Sequence, residues 1–294
     1  MRHMARLGTI AMALTAAFVT LAAAGIGDDK AAQVMAAARE ALGGTALDNV
    51  MALSASGEFR RMMGERELNG EITIDLIAPD KIKRTEEMGI PGGPRMSRVT
   101  TLNAGEFFED STNRGGGFMM RMGPGGAGGQ GPSEADRERF RQMQQRRLEG
   151  ELRRHLLVWL MRTDAPVTYA GEAEAEDGKA DVLEVLTDGA PPMRLFIDQE
   201  TRLPLMLTYQ GVMPRVVVRQ GGGAPPDPEE MRRRMAEPPR QVTFEVRYSD
   251  YKRVKGVMLP HLVTQSVEGR PTEEWTVSEF KLNPPLKPEH FVKK

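Results

Sequence analysis

The sequence predicts a β-rich α+β protein built on one curved antiparallel sheet. Three strand-length runs rich in Leu, Val, Ile and Phe lie between residues 182 and 209, separated by Asp188-Gly189, Pro191-Pro192 and a polar segment at 198–202. Each of these breaks has the composition of a turn. The same pattern returns from 242 to 282, so most of the chain is predicted to be a meander of neighbouring strands.

The composition excludes several classes of protein. A formal net charge of -1 at pH 7 gives no bulk attraction to nucleic acid or to an anionic membrane. The absence of cysteine excludes disulfides, thiolate metal sites, Cys nucleophiles and an anchor attached through an N-terminal cysteine. With 294 residues, of which 40% are hydrophobic, the chain can form a substantial core.

The first 24 residues have the organisation of a secretory signal. Arg2, His3 and Arg6 precede an apolar run at 9–24 that ends in three alanines. This run falls short of the roughly 20 apolar residues that span a bilayer. We therefore expect cleavage after Ala24 and a periplasmic or extracellular mature protein that is not lipid-anchored.

In the first half of the mature chain we predict a helix and five strands. An amphipathic helix at 30–42 ends at Gly43-Gly44, and a short helical turn follows at 45–50. Apolar and polar residues alternate in the second strand, which is typical of a sheet with one dry and one wet face. The dry positions of this strand are Ile72, Ile74 and Leu76. The predicted strands are 52–61, 68–77, 81–88, 96–103 and 106–111.

A glycine-rich segment at 114–132 interrupts the strands and is predicted to be a flexible loop with apolar side chains. Ser133 and Asp136 form a capping-box pattern that begins a helix through Arg162, with a bend near Gly150. The arginines of this helix are expected on its solvated face. Its apolar stripe is Phe140, Met143, Leu148, Leu152, Leu156, Trp159 and Leu160.

The second half is predicted to return to strands. A strand at 167–174 leads to the three runs between 182 and 209, and a second Gly/Pro-rich insertion at 219–240 follows them. After it come a strand beginning at 242 and a hairpin that pairs 258–267 with 272–281 across Glu268-Gly269. The tail at 283–294 contains three prolines and is expected along an edge of the sheet.

No catalytic or metal-binding constellation is evident. His155, His261 and His290 are far apart in sequence, lack partners at ligand or triad spacing, and are expected on the solvated surface. Adjacent acids such as Glu109-Asp110 and Glu273-Glu274 point to opposite faces of their strands. The glycine runs lack the Lys-Ser or Lys-Thr of a phosphate loop. We predict no enzyme, no cofactor and no metal site.

Several motifs, in their order along the chain, resemble the outer-membrane lipoprotein-sorting (LolA-like) superfamily. They are a secretion signal, a short helix ending in Gly-Gly, APDK at 78–81, LFID at 195–198 leading to Leu203-Pro204, and YSDY at 248–251 leading to GVMLP at 256–260. The resemblance implies an incomplete, half-open β-barrel with helices covering its concave side. It also implies a single domain at 25–294 that carries the two Gly-rich insertions.

The resemblance further implies an apolar cavity between helices and sheet that receives a lipoprotein acyl chain or another hydrophobic ligand, with a membrane-protein donor or acceptor and a monomeric carrier. Trp159 is expected to adjoin this cavity, and Trp275 is expected to report on sheet packing instead. The expected cavity residues are Ile72, Ile74, Leu76, Phe140, Leu156, Trp159 and Leu160. The expected residues of a lid at its mouth are Phe118, Met119, Met120 and Met122.

Two other functions remain open from the sequence. Methionines on the two insertions, including Met119, Met120, Met231 and Met235, are also able to bind cuprous ion, which leaves a periplasmic copper-binding protein as an alternative, although no histidine supports them there. A regulatory sensor that presents the same fold to a membrane-protein partner is the other alternative.

Overall fold

The computed structural model describes residues 26–64, 66–89, 95–114, 134, 138, 142, 150–151, 154–161, 165–175, 178–186, 192–212 and 240–292. The predicted signal at 1–24 lies outside the described residues. So do 115–132 and 219–239, which form almost all of the two predicted insertions.

Twelve antiparallel strands form one sheet in the order β5-β4-β3-β2-β1-β12-β11-β10-β9-β8-β7-β6. The strands β5 and β6 are the two edges and do not pair with each other, so the sheet is an open barrel, as predicted. The strands are β1 Ala52–Met63, β2 Arg66–Ile77, β3 Lys81–Gly89, β4 Arg95–Asn103, β5 Glu106–Arg114, β6 Val167–Ala175, β7 Gly178–Val185, β8 Met193–Asp198, β9 Pro204–Val212, β10 Gln241–Val254, β11 Val257–Val267 and β12 Arg270–Leu282.

The first and last strands meet in the middle of the sheet. Leu53 pairs with Leu282, and Arg61 pairs with Glu273 at the other end of the same ladder. Asn283 extends this junction, because its Oδ1 accepts hydrogen bonds from the backbone N–H groups of Met51 and Ala52 at 2.8 and 3.0 Å. The two meanders β1–β5 and β6–β12 are thereby joined into one sheet.

The curvature of the sheet has a local cause at Gly57. The ladder between β1 and β12 shifts register between Ser56 and Gly57, and bulges of this kind bend a strand and increase its twist. A Cβ atom on Gly57 would lie 2.1 Å from Thr276 O and 2.8 Å from Val277 Cα. Only glycine therefore permits the close approach of β12 at this bend.

The helices pack against one face of the sheet, which we call the inner face. The helix α1, Ile26–Leu42, buries Ala31, Val34, Ala38 and Leu42 at 3% exposure or less and packs against β6 and β11. Gly43 and Gly44 have φ angles of 139° and 51°, which are left-handed values that end the helix as predicted. The helix α2 is Thr45–Asp48, and α3 is Leu157–Leu160.

The long predicted helix is found only in part among the described residues of 133–162, because Leu156 and Met161 are not helical and α3 is a separate helical turn. Helical backbone is found at Glu134, Glu138, Gln142, Gly150–Glu151 and Arg154–His155. Leu156, Leu157, Leu160 and Met161 belong to the same hydrophobic core as α1 and the inner face. No helix of the described residues has both the length and the apolar character to cross a bilayer.

The tail was predicted along an edge of the sheet, and this prediction was wrong. A 3-10 turn at Pro288–Phe291 packs against β3 and β4, in the interior of the strand order. His290 Nε2 lies 2.7 Å from Asp75 Oδ2, and Phe291 is completely buried. The prolines do exclude the tail from the sheet, but the burial of Phe291 places it across strands and not beside them.

Candidate functional site

An apolar pocket lies between the inner face and the helical segment 154–161. His155, Leu156 and Leu157 form its roof, and residues of β1, β2, β11 and β12 form its floor. The cavity has a volume of about 20 Å³, which is enough for one water molecule. The floor includes Leu53, Ala55, Ile72, Ile74, Val263 and Trp275.

Two neighbouring strands diverge beside the pocket. The β11–β12 ladder runs from Leu262 opposite Thr276 to Val267 opposite Arg270. Leu259 and Val277 lie outside that ladder and both line the pocket. His261 Nδ1 reaches across to Val277 O at 2.7 Å. The pocket therefore occupies the place where the ladder ends and the strands separate.

Two of the lining side chains carry polar atoms and stack on each other. The rings of His155 and Trp275 have centroids 4.4 Å apart and planes inclined by 30°. Trp275 Nε1 donates a hydrogen bond to Glu273 Oε1 at 2.6 Å. His155 Nδ1 lies 2.8 Å from the backbone oxygen of Glu151. Both partners, Glu273 and Glu151, belong to a charged network beside the pocket.

This charged network joins four side chains of the inner face to Glu151 of the helical stretch; the four are Arg61, Arg84, Glu86 and Glu273. Arg61 Nη2 donates to Glu86 Oε1 and to Glu273 Oε1, each at 2.7 Å. Arg84 Nη1 donates to Glu151 Oε1 at 2.5 Å. Glu86 is 0% exposed and Arg84 is 6% exposed. The network links β1, β3 and β12 to the helical segment.

Strand alternation explains why these charges point inward. Ile82, Arg84 and Glu86 occupy the buried positions of β3, two residues apart. The register places Arg84 opposite Ile74 of β2 and opposite Thr100 of β4. The inner face is therefore apolar at Ile74 of β2, and the neighbouring position on β3 carries the buried charge of Arg84.

Ion pairing outweighs burial for these groups. Burial would raise the pKa of Glu86, but Arg84 and Arg61 hold that pKa below its ordinary value. Burial would lower the pKa of Arg84, but Glu151 and Glu86 raise it. Burial would also lower the pKa of Arg61, but Glu273 and Glu86 raise it. All three side chains are therefore charged in the folded protein at neutral pH.

Some buried polar atoms of this region have no hydrogen-bond partner among the described residues. They are Arg84 Nε, Glu86 Oε2, Thr100 Oγ1 and His155 Nε2. An unpaired buried polar atom costs about 1–3 kcal/mol. The described part of the chain therefore leaves hydrogen-bonding capacity unused beside the pocket.

The structure places part of the predicted cavity set in this pocket. Ile72, Ile74 and Leu156 line it. Leu76 and Leu160 are buried in the same hydrophobic core, at 5% and 3% exposure. The other predicted positions lie outside the described residues, namely Phe140, the side chain of Trp159, and Phe118, Met119, Met120 and Met122.

Three predictions about single side chains were wrong. His155 and His261 were expected on the solvated surface but are 2% and 7% exposed. Trp275 was expected away from the ligand site but lines the pocket. The reason is the same for all three: His261 and Trp275 lie on the inner face, and His155 is covered because the helical segment packs on that face. Arg154 is not simply solvated either, since its guanidinium carbon lies 4.0 Å from the centre of the Tyr209 ring.

His155 should make the stability of the protein depend on pH. Burial lowers the pKa of His155 and outweighs Glu151 and Glu273, which raise it, while Arg154 lowers it further. Because the folded pKa is depressed, the unfolded chain binds more protons below the ordinary value of 6.5. Stability is therefore lost as the pH falls below that value, at a limiting slope of about 1.4 kcal/mol per pH unit.

His155→Phe should remove this component while keeping an aromatic ring on Trp275. Urea unfolding between about pH 7.5 and pH 5.5 should show a steeper loss of stability for the wild type than for the variant. Equal slopes for the two proteins would show that His155 does not carry the effect.

Two further regions were considered as sites. Within the described residues, no group of three or more His, Asp or Glu side chains is arranged to hold a metal ion. A hollow of about 550 Å³ on the outer face is open to solvent and polar, with Glu58, Glu71 and Glu274 in its lining. The pocket under the helical segment is the enclosed and apolar one of the two.

No protein-family model matches the chain. No curated protein matches it either.

Similar solved structures include a LolA superfamily protein from Nitrosomonas europaea, with 12% identity, a TM-score of 0.45 and coverage of 90% of this chain and 97% of the other. A domain from Vibrio parahaemolyticus named for outer-membrane lipoprotein sorting has 11% identity and a TM-score of 0.44, with 89% and 97% covered. A DUF1329 family protein from Desulfovibrio piger has 10% identity and a TM-score of 0.45, with the same coverage. These similarities, at identities of 10–12% and TM-scores of 0.44–0.45, say nothing of a ligand.

Proposed function

We propose that this protein is a non-catalytic periplasmic carrier or sensor that binds an acyl chain or another hydrophobic ligand between the helical segment 154–161 and the inner face. The observation that carries this proposal is the enclosed apolar pocket at that place, with Leu156 and Leu157 above Ile72, Ile74 and Val263. Ligand sites are concave, mostly apolar and supplied with a few polar atoms.

Binding requires the helical segment to move away from the sheet. A cavity of about 20 Å³ holds a water molecule and not a chain. Among the described residues, the Tyr248 hydroxyl donates to the backbone oxygen of Arg154 in the segment, and Arg84 donates to Glu151, which lies three residues before it. Displacement of the segment would extend the pocket along the apolar face of β1 and β2.

The compartment and the partners are part of this proposal. The basic and apolar pattern of residues 1–24 supports export, and a periplasmic protein that holds acyl chains would exchange them with a membrane protein as donor or acceptor. A sensor of the same architecture would present its ligand-bound state to such a partner. Phe118, Met119, Met120 and Met122 remain proposed as a lid of the cavity.

Native mass spectrometry tests the proposal. Protein prepared without detergent in the presence of lipid extract should carry a bound lipid mass. Ala55 is a floor residue at 4% exposure, and Ala55→Leu fills the pocket. We expect this variant to lose at least about tenfold in affinity for a fatty acid, which corresponds to about 1.4 kcal/mol.

The same substitution at an exposed alanine of β6, Ala170→Leu, is the matched control and should bind like the wild type. Thermal unfolding confirms that both variants are folded before affinities are compared. An apo mass alone, with lipid available, would refute the proposed function. Equal affinity for the two variants would place the ligand elsewhere.

A further inference from the structure

His155 lines the pocket and has a buried ring nitrogen, Nε2, without a hydrogen-bond partner among the described residues. The residue is 2% exposed. The ring is held from two sides, because it stacks on Trp275 and its Nδ1 lies 2.8 Å from Glu151 O. A rigid ring with one unused polar atom is a built feature of this pocket.

The hydrogen bond at Nδ1 determines whether Nε2 donates or accepts a hydrogen bond. Glu151 O is a carbonyl oxygen and only accepts hydrogen bonds, so Nδ1 carries the proton. In the neutral imidazole the other nitrogen then has a lone pair and no proton. Nε2 is therefore an acceptor, and a group that satisfies it has to be a donor.

We infer that His155 Nε2 is the recognition atom for a neutral hydrogen-bond donor on an otherwise apolar ligand, such as a hydroxyl or an amide N–H. This inference rests on the proposed function and specifies the ligand class. A group that only accepts hydrogen bonds, such as an ether or a ketone, leaves Nε2 unpaired in an apolar site and is disfavoured.

The neighbouring charges do not supply the missing donor. Trp275 Nε1 is used by Glu273, and Arg61 donates to Glu86 and Glu273. Arg84 Nη1 donates to Glu151, and Arg84 Nε, which has no partner among the described residues, does not reach His155 Nε2 either. The cavity volume of about 20 Å³ is enough for one water molecule and His155 Nε2 is buried, so a donor-bearing ligand reaches Nε2 only when the helical segment moves.

The test uses two isomeric ligands, decanol and methoxynonane, which share an apolar chain and one oxygen but differ in having a donor. Calorimetry should show that the wild type binds decanol roughly fivefold more tightly than the ether. His155→Phe keeps the stacked ring and should bind both isomers with equal affinity. His155→Leu is the second variant if the first does not fold.

A measurement on the wild type alone supports the same test. In protein labelled with ¹⁵N-histidine, the unprotonated Nε2 resonance of His155 should move on addition of decanol and stay in place on addition of methoxynonane. Decanol that binds with no preference over the ether, or without moving this resonance, overturns the inference and leaves the proposed function standing. If neither isomer binds, the proposed function fails and the inference fails with it.

Discussion

Replacing Glu86 by alanine is expected to lower the free energy of unfolding by about 3–5 kcal/mol. The substitution removes the carboxylate to which Arg61 donates at 2.7 Å and beside which Arg84 Nε lies at 3.8 Å. Arg84 is 6% exposed, so water cannot replace the lost partner. Urea unfolding at neutral pH measures the loss.

The pH dependence of this loss follows from the lowered pKa of Glu86. Its stabilising contribution is present above the ordinary value of 4.5 and is lost as the pH falls through the lower folded value. The difference between wild type and Glu86→Ala should therefore shrink on strong acidification.

Glu87→Ala is the matched control for this prediction. Glu87 is the next residue of β3, is exposed, and lies opposite Glu71, so its removal should change stability by no more than about 0.5 kcal/mol. The double variant Arg84→Met with Glu86→Ala should be more stable than the sum of the two single losses predicts, because the charges are removed together. A loss for Glu86→Ala no larger than for Glu87→Ala would contradict the stabilising role of the network.

Gly57→Ala is expected to destabilise the protein by at least about 3 kcal/mol. The new methyl group would overlap Thr276 O, at 2.1 Å from the Cβ position, and the overlapping atom belongs to the backbone. Relief requires β12 to move away from β1 at the bulge. Hydrogen exchange should therefore report faster opening of the β1–β12 ladder, together with a lower urea midpoint.

Gly89→Ala makes the same chemical change without the contact. Gly89 lies in β3, and no atom of the described residues is found within 4 Å of its Cβ position. This control should be neutral or slightly stabilising, because alanine restricts the unfolded chain more than glycine does. Equal urea midpoints for Gly57→Ala and Gly89→Ala would show that β12 leaves room for a methyl group at position 57.

The strands were predictable because their signals are local. Alternation at Ile72, Ile74 and Leu76 and the turn residues between strands located β2 and its neighbours to within a few residues. Gly43-Gly44 likewise marked the end of α1. Each of these signals depends on residues that are close in sequence.

The buried network was not predictable in the same way. Arg61, Glu86 and Glu273 meet only because β1 pairs with β12 on one side and with β2 on the other, and β2 pairs in turn with β3. Nothing within any one strand shows that these charges have partners. Charged residues are usually exposed, which is the correct expectation for a side chain considered alone. One signal was available, since Arg84 and Glu86 have the spacing of inward positions on β3.

His155 also had a usable signal. It follows Leu148 and Leu152 and precedes Trp159 at intervals of four, three and four residues, which is the spacing of one helix face. A histidine on the apolar face of a helix is buried when that face packs against the core, whatever its own polarity. The stack on Trp275, however, required the tertiary structure.

The junction of the first and last strands has a consequence for the order in which the sheet forms. All other ladders of the described strands join strands that are consecutive along the chain, whereas Met51 and Asn283 meet across 232 residues. Closing so long a loop is slow compared with forming a hairpin. A chain emerging from synthesis therefore presents β1 with an unpaired side until β12 is available. The charges of Arg60 and Arg61 on this strand discourage pairing with another chain during that interval.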